Sequence, residues 1–190
     1  QIQTAYLIPN GPMLGNLTAL STKGVDVRIL TNSAASTNHG VVHAYYSKYR
    51  KQLLSENIEL YEVQGTGALA TYLDRVGEDA HAGLHTKAMV VDERLSVIGS
   101  YNMDPRSRVW NSEIALVVDD ANFAAEVLQE MERDFSPEAA WRLSLDEKES
   151  VVWTGESEGA ETQFHRDPGS TWWDRLVWGI FRILPLENEL

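Results

Sequence analysis

His85, Lys87, Ser100 and Asn102 are residue types that suit chemistry at a phosphodiester, and they are regularly spaced. They lie in His85-Thr86-Lys87-Ala88-Met89-Val90-Val91-Asp92 and in Gly99-Ser100-Tyr101-Asn102, which together read H-x-K-x4-D-x6-G-S-x-N. An imidazole can attack phosphorus or shuttle a proton near neutral pH. An ammonium and neutral N–H or O–H donors can hold the charged non-bridging oxygens. His85 and Lys87 alternate, so an extended strand presents both on one face. Met89 and Val91 are expected to continue along that face into a core. Asp92 completes the pattern and belongs to the candidate catalytic set. Its expected part is structural, opening a turn at Asp92-Glu93-Arg94 where its carboxylate can bond backbone amides. A lone H-x-K is an incidental feature of many strands. Six positions of fixed type at fixed offsets argue against chance.

The elements that must position these residues follow from periodicity. Gln1–Ile8, Val25–Leu30 and Ile58–Val63 read as strands, the first closed by Pro9-Asn10-Gly11-Pro12. Between them, Met13, Leu14, Leu17 and Leu20 predict one helix stopped at Gly24, and Val42, Tyr45, Tyr49 and Leu53 predict a second of about 15 residues. The order βαβαβ favours parallel strands. The polar loop Thr31–Asn38 follows a strand end, where ligands of open α/β sheets gather, and could bind a polar head group or simply be solvated. His43 is expected at the surface. Residues 64–84 show no strong pattern and lead into His85 as a lid, a substrate wall or a plain loop. Thr86–Val91 and Leu95–Gly99 are expected as a hairpin, Asp104–Ser107 as a turn, Glu113–Val118 as a strand, and Phe123, Val127, Leu128 and Met131 as a helix stripe.

The chain of 190 residues is long enough for a real core, and one domain with an extension is the simplest organisation. It has no cysteine, which removes disulfides and thiolate metal sites. Its 28 acidic and 16 basic residues give a formal charge of -12, which disfavours nucleic acid as a partner. The start at Gln1, directly in an apolar segment, suggests a piece of a longer protein. Beyond Phe135, Trp141–Leu145 and Val151–Trp153 suggest a small hairpin. Trp172–Leu184 then places Arg175, Gly179 and Arg182 on one narrow helical face and apolar residues over the rest. Thirteen helical residues rise about 20 Å, too short to span a bilayer. Such a segment fits either a membrane interface or a helix packed on its own domain.

The motif resembles the HKD motif of the phospholipase D superfamily. Tyr6–Pro9, Gly24–Ser33, His43–Arg50, Gly99–Ser107 and the Trp-rich tail resemble the C-terminal half of bacterial cardiolipin synthases of that type. The resemblance implies an α/β fold, a phospholipase D-like half with a mixed, mostly parallel sheet flanked by helices. It divides the chain into a catalytic half at residues 1–135 and a C-terminal extension at 136–190. It implies phosphatidyl transfer through a phosphohistidine, with no metal and no cofactor. His85 is then the catalytic histidine, the general acid/base if a partner half supplies the nucleophile. Lys87 and Asn102 are phosphate ligands with Ser100 close by, and Glu113 is the acid that orients His85. The implied partners are phospholipids such as phosphatidylglycerol, a membrane surface, and the N-terminal half of a parent protein or a second copy. No nucleic acid is expected. The implied location is the bacterial cytoplasm, peripheral to the inner membrane. Only one H-x-K-x4-D occurs, because His39, His43, His81 and His165 lack a lysine two residues on. Hydrolysis of phosphodiesters, as a phospholipase D or nuclease, and a non-catalytic phosphate- or lipid-binding half are the alternatives.

Overall fold

Alternating apolar residues build the centre of the molecule, which a computed structural model describes for residues 1–65 and 83–190. The strands β1 (Ile2–Thr4), β2 (Arg28–Asn32) and β3 (Glu59–Val63) lie side by side and parallel, as the βαβαβ order predicts. Between β1 and β2 runs α1 (Pro12–Thr22), begun by a proline whose missing N–H costs a first turn nothing. The expected 15-residue helix between β2 and β3 is two helices, α2 (Gly40–Tyr46) and α3 (Arg50–Ser55). At their junction the N–H groups of Lys48 and Tyr49 bond to the carbonyls of Tyr45 and Tyr46. These i to i−3 bonds tighten the chain and start a new axis at Arg50.

The sheet continues on both sides. Its nine strands run β6-β5-β4-β1-β2-β3-β7-β8-β9, with β4 (Lys87–Val91), β5 (Leu95–Gly99), β6 (Ala115–Asp119), β7 (Ala140–Leu145), β8 (Val151–Ser157) and β9 (Ala160–Phe164). Two of its eight pairings are parallel and six antiparallel, so the expected mixed sheet is present but not mostly parallel. For three of the six the reason is local: β4–β5, β7–β8 and β8–β9 are joined by turns of three, five and two residues, which permit only antiparallel return. The hairpin expected after Trp141 gains β9 as a third strand.

Helices cover the two faces unevenly. On one, α1, α2 and α3 pack Leu17, Tyr46 and Leu53 onto Ile29, Leu60, Trp141, Leu143 and Trp153. On the other, α5 (Ala121–Asp134) packs Ala124 and Met131 onto Leu30, Val63 and Val90. The strand β4 therefore buries Ala88 and Val90, while Lys87 and Met89 are half-buried and Val91 is exposed. This reverses the core face expected from the motif: α5 covers the Ala88 side, and among the described residues no helix covers β4 to β6 on the Lys87 side as α1–α3 cover β2 and β3. The fold closes with α4 (Pro105–Val109), where a turn was expected, and with α6 (Trp172–Phe181) packed on α2.

Candidate active site

The motif histidine sits just ahead of β4. His85 is exposed, and Lys87, two residues on, curls back toward it. The Lys87 ammonium donates to the His85 carbonyl at 2.7 Å and lies 3.3 Å from Nδ1 of the ring. Partial burial lowers the Lys87 pKa, while the nearby charges of Glu113 and Asp104 oppose that shift. Desolvation of this kind strengthens attraction for an incoming anion.

A loop after β5 brings the other motif residues alongside. Gly99 is required because a Cβ there would strike the Ile114 carbonyl across the β5–β6 pair. The Ser100 hydroxyl donates to Glu113 and accepts the Ile114 N–H at 3.1 Å. Met103 is stitched to the β1 side: its N–H reaches Thr4 Oγ1 at 3.1 Å and its carbonyl takes the Ile8 N–H at 2.8 Å. Thr4 is the register partner of Lys87, so this stitch holds the loop beside the motif strand. Asn102 is buried, its N–H bonded to Ser107 Oγ at 3.2 Å, and its buried side-chain oxygen has no partner among the described residues. Asp104 caps α4 by accepting the Ser107 N–H at 2.6 Å.

Two expected partnerships take a different form. No hydrogen bond joins Glu113 to His85. The Glu113 oxygens accept from Ser100 and from Asn111 at 3.0 Å, and these bonds, chiefly that of Ser100, hold its pKa below the usual glutamate value. Glu113 thus fixes the Ser100–Asn111 loop and lends its charge to Lys87. Asp92 lies at the far end of β4, about 20 Å from His85 by strand rise. It opens the hairpin turn with φ 51°, followed by Glu93 at φ 52°. The structure brings His85, Lys87, Ser100, Asn102 and Glu113 to one end of β4 and β5, and leaves Asp92 at the other.

One positioning residue escaped sequence reasoning. Asn32, at the end of β2, donates to the carbonyls of Ala5 and Leu84, both at 2.9 Å, and accepts from the Leu84 N–H at 2.8 Å and from Ser36 Oγ at 2.9 Å. It thereby fixes both the polar loop after β2 and the residue preceding His85. These segments border an open cavity of about 600 Å³ lined by Asn32, Ala35–Asn38 and Gly83–His85. The signal for Asn32 was its place at a strand end of a parallel unit. Most of the lid or wall expected at 64–84 lies outside the described residues. Among the described residues no His, Cys, Asp or Glu cluster is suited to a metal.

His43, expected at the surface, is buried. Its Nε2 lies 2.9 Å from Asp167 Oδ1 and 3.1 Å from Arg50 Nη2. Arg50 also pairs with Asp167 at 2.7 Å and with Glu62 at 2.7 Å, and Glu62 accepts from Tyr46 at 2.8 Å and Trp153 at 2.9 Å. The Trp178 indole lies against the imidazole with ring centroids 4.7 Å apart. The surface expectation failed because α6, remote in sequence, covers this side of α2.

The fold and site define a phospholipase D-like protein. Nuc from Salmonella typhimurium superposes with a TM-score of 0.51 at 18% identity, over 73% of this chain and 77% of its own. NucT from Helicobacter pylori gives 0.54 at 14% identity, over 73% and 78%. A phosphatidylserine synthase from Haemophilus influenzae Rd KW20 gives 0.51 at 18% identity, over 70% and 31%. At these identities the likeness establishes the fold. Residues 1–135 match the family described as cardiolipin synthase, PLD-like domain, and the chain belongs to that family. Cardiolipin synthase C of Escherichia coli (strain K12) is 32% identical over 188 residues, covering 98% of this chain and 40% of its own length. The chain thus spans well under half the length of that relative.

Proposed function

We propose that this chain supplies one of two half-sites of a phosphatidyltransferase that joins two phospholipids, with phosphatidylglycerol among its substrates, at the cytoplasmic membrane surface of a bacterium. The observation that carries the proposal is the exposed His85 with the partly desolvated Lys87 ammonium 3.3 Å from its ring, at the edge of a 600 Å³ cavity. The family relationship supports the same chemistry.

In this reading Lys87 and Asn102 take the non-bridging oxygens of the phosphodiester. The orphaned Asn102 oxygen orients the carboxamide only weakly, which leaves its N–H groups free to turn toward an anion. A second imidazole attacks phosphorus, forming a P–N bond as the P–O bond to the leaving alcohol breaks. His85 gives its proton to that alcohol. The hydroxyl of the second lipid then attacks, its proton passes to His85, and the P–N bond breaks. The attacking base and the acid act on opposite sides of phosphorus, so one imidazole cannot fill both roles at once. The exposed apolar residues Val109, Trp110, Ile114, Leu116 and Val117 flank the motif loop and suit the docking of the complementary half, either an N-terminal half or a second copy. In the proposed division of the chain, residues 1–135 carry the half-site and 136–190 are the extension. Glu113 acts by holding the Ser100 loop and by its charge on Lys87.

The test is product identification by mass spectrometry from defined phospholipids. A monomeric preparation of this chain should show little or no transfer, with transfer appearing when a complementary half or a self-associated pair is present. Full specific activity in a verified monomer would refute the half-site reading. Release of phosphatidic acid without lipid-to-lipid transfer would favour a hydrolase.

A further inference from the structure

The helix α6 is amphipathic in the wrong sense for a helix that faces water. Its inner side carries its two arginines at the margins: Arg175 donates to Ser170, and Arg182 donates to the Ala44 carbonyl at 3.3 Å and to Ser47 Oγ. Between them Trp178 is buried against His43. The outer side is formed by Trp172, Trp173, Leu176, Val177 and Ile180, and is continued by Ile183 just beyond the helix. These six are 40 to 81% exposed. A surface helix normally turns its apolar stripe inward. Here docking on α2 has used the narrow polar-edged face and left the broad apolar face outward.

The orientation is firmly held. Thr171 and Asp174 form a reciprocal capping box at the first turn. Past the last turn, the Tyr45 hydroxyl donates to the Leu184 carbonyl and accepts the Leu186 N–H at 3.2 Å, and Glu187 takes Tyr49 and Lys48. The helix therefore cannot roll to hide its apolar side without breaking the bonds that join its C-terminal end to residues 44–49. The segment leading into it also adjoins the wall of the cavity beside His85. Gly169, at φ 73°, packs so closely on Ala35 of the cavity wall that a Cβ there would meet the Ala35 side chain at 2.7 Å.

We infer that the outward face of α6 is seated in the interfacial layer of a lipid bilayer, holding the His85 cavity at headgroup level. This deepens the phosphatidyltransferase reading and rests on it for the identity of the surface. Two observations favour lipid over protein as the occupant. Tryptophan-rich apolar faces suit the boundary between headgroups and acyl chains. In addition, Trp172–Leu184 contains one carboxylate and two guanidinium groups in a chain whose net charge is -12. The segment that meets the bilayer thus carries a net positive charge, opposite in sign to the chain as a whole. Among the described residues no helix is long and apolar enough to cross a membrane, so α6 lies in the interface plane. Attachment comes from apolar insertion, and the negative charge of the rest of the chain opposes anionic lipid at long range.

The experiment is vesicle flotation of this 190-residue chain. The vesicles are phosphatidylethanolamine with phosphatidylglycerol, and separately phosphatidylcholine alone. The chain should float with both, and binding should persist in about 0.5 M salt, where surface attraction is screened. Leu176→Asp with Ile180→Asp should lower partitioning at least about tenfold, because two exposed apolar side chains no longer leave water, with the same unfolding midpoint as the parent. Trp172→Ser with Trp173→Ser gives an independent reduction that spares the buried Trp178. Equal flotation of both variants, loss of binding at high salt, or absence of binding by the unaltered chain would overturn the inference. So would a dimer in lipid-free solution that the double aspartate variant breaks, since the face would then be a protein interface. Flotation requires no turnover: a chain that binds vesicles without any transfer keeps the anchor and fails the function, whereas transfer on dispersed short-chain lipid without flotation does the reverse.

Discussion

His43 and His85 each lie beside a cation, but their surroundings differ in burial and in hydrogen bonding. His43 is sealed under Trp178, with Asp167, Arg50, Glu62, Tyr46 and Trp153 joined around it. His85 is exposed beside a cavity, near one lysine and a buried carboxamide oxygen without a partner among the described residues. The buried cluster has nearly every charge answered: burial pushes the Asp167 carboxyl up, but the Arg50 charge and the His43 bond more than offset this and hold it well below the usual range. This cluster is closed over by Trp178 and serves to fasten the chain around residue 167 to α2 and α3; His43 Nδ1, which has no partner among the described residues, is buried away from any substrate. The motif cluster lies at the surface, with His85 exposed and Lys87 half-buried, where the ammonium can meet an anion. Residue type alone does not separate the two histidines; burial does, with His43 sealed and His85 exposed.

Substitutions should separate the two clusters cleanly. The largest effect is expected at the open one: in the assembled enzyme, His85→Ala should lower transfer by about 10²–10⁴-fold or more. Its stability should change by no more than about 0.5 kcal/mol. Activity within about threefold of the parent would remove His85 from the chemistry. In the sealed cluster, Arg50→Met leaves Glu62 and Asp167 buried without their cation, and urea unfolding should show a loss of about 3–5 kcal/mol. A loss below about 1 kcal/mol would mean that the cluster is not a fastening.

A smaller effect on turnover is expected from Asn102→Ala, about 10²-fold through loss of a phosphate donor. Stability should hardly move, because the oxygen removed has no partner among the described residues to orphan. The smallest effect is a pH dependence. Burial, and then the Arg50 charge, lower the His43 pKa. Below about pH 6.5 the unfolded chain takes up a proton that the folded ring resists. Stability from this group is complete above that pH and declines as pH falls toward the folded pKa, by at most about 1.4 kcal/mol per pH unit. His43→Gln should flatten this decline in thermal unfolding between about pH 6.5 and 5, while His85→Ala should retain it. The Asp167 contribution occupies a lower window, beginning to fade below the ordinary aspartate value near about pH 4.

What the sequence determined by itself was local. The H-x-K spacing, the Gly99-Ser100-x-Asn102 turn and the stripes of α1 and α5 are set by neighbours within a few residues, through strand alternation and helical period. The resemblance carried by those residues gave the family. Contacts between distant segments decided the rest. Whether Lys87 or Ala88 faced the core depended on where α5 landed, because a strand with apolar residues on both faces has no preferred inside. The direction of β4 and β7 was set by their antiparallel pairing with β1 and β3, strands remote in sequence. Glu113 lies eleven residues past Asn102, a spacing that cannot reveal its hydrogen-bond partners, and the tertiary structure gave it to Ser100 and Asn111. His43 was read as a surface residue because Asp167, its partner 124 positions away, is invisible to periodicity. The composition of α6 was plain from the start. Only its docking on α2 decided which side would remain outside, because bonds joining Arg182, Leu184, Leu186 and Glu187 to residues 44–49 outcompeted burial of its broader apolar face.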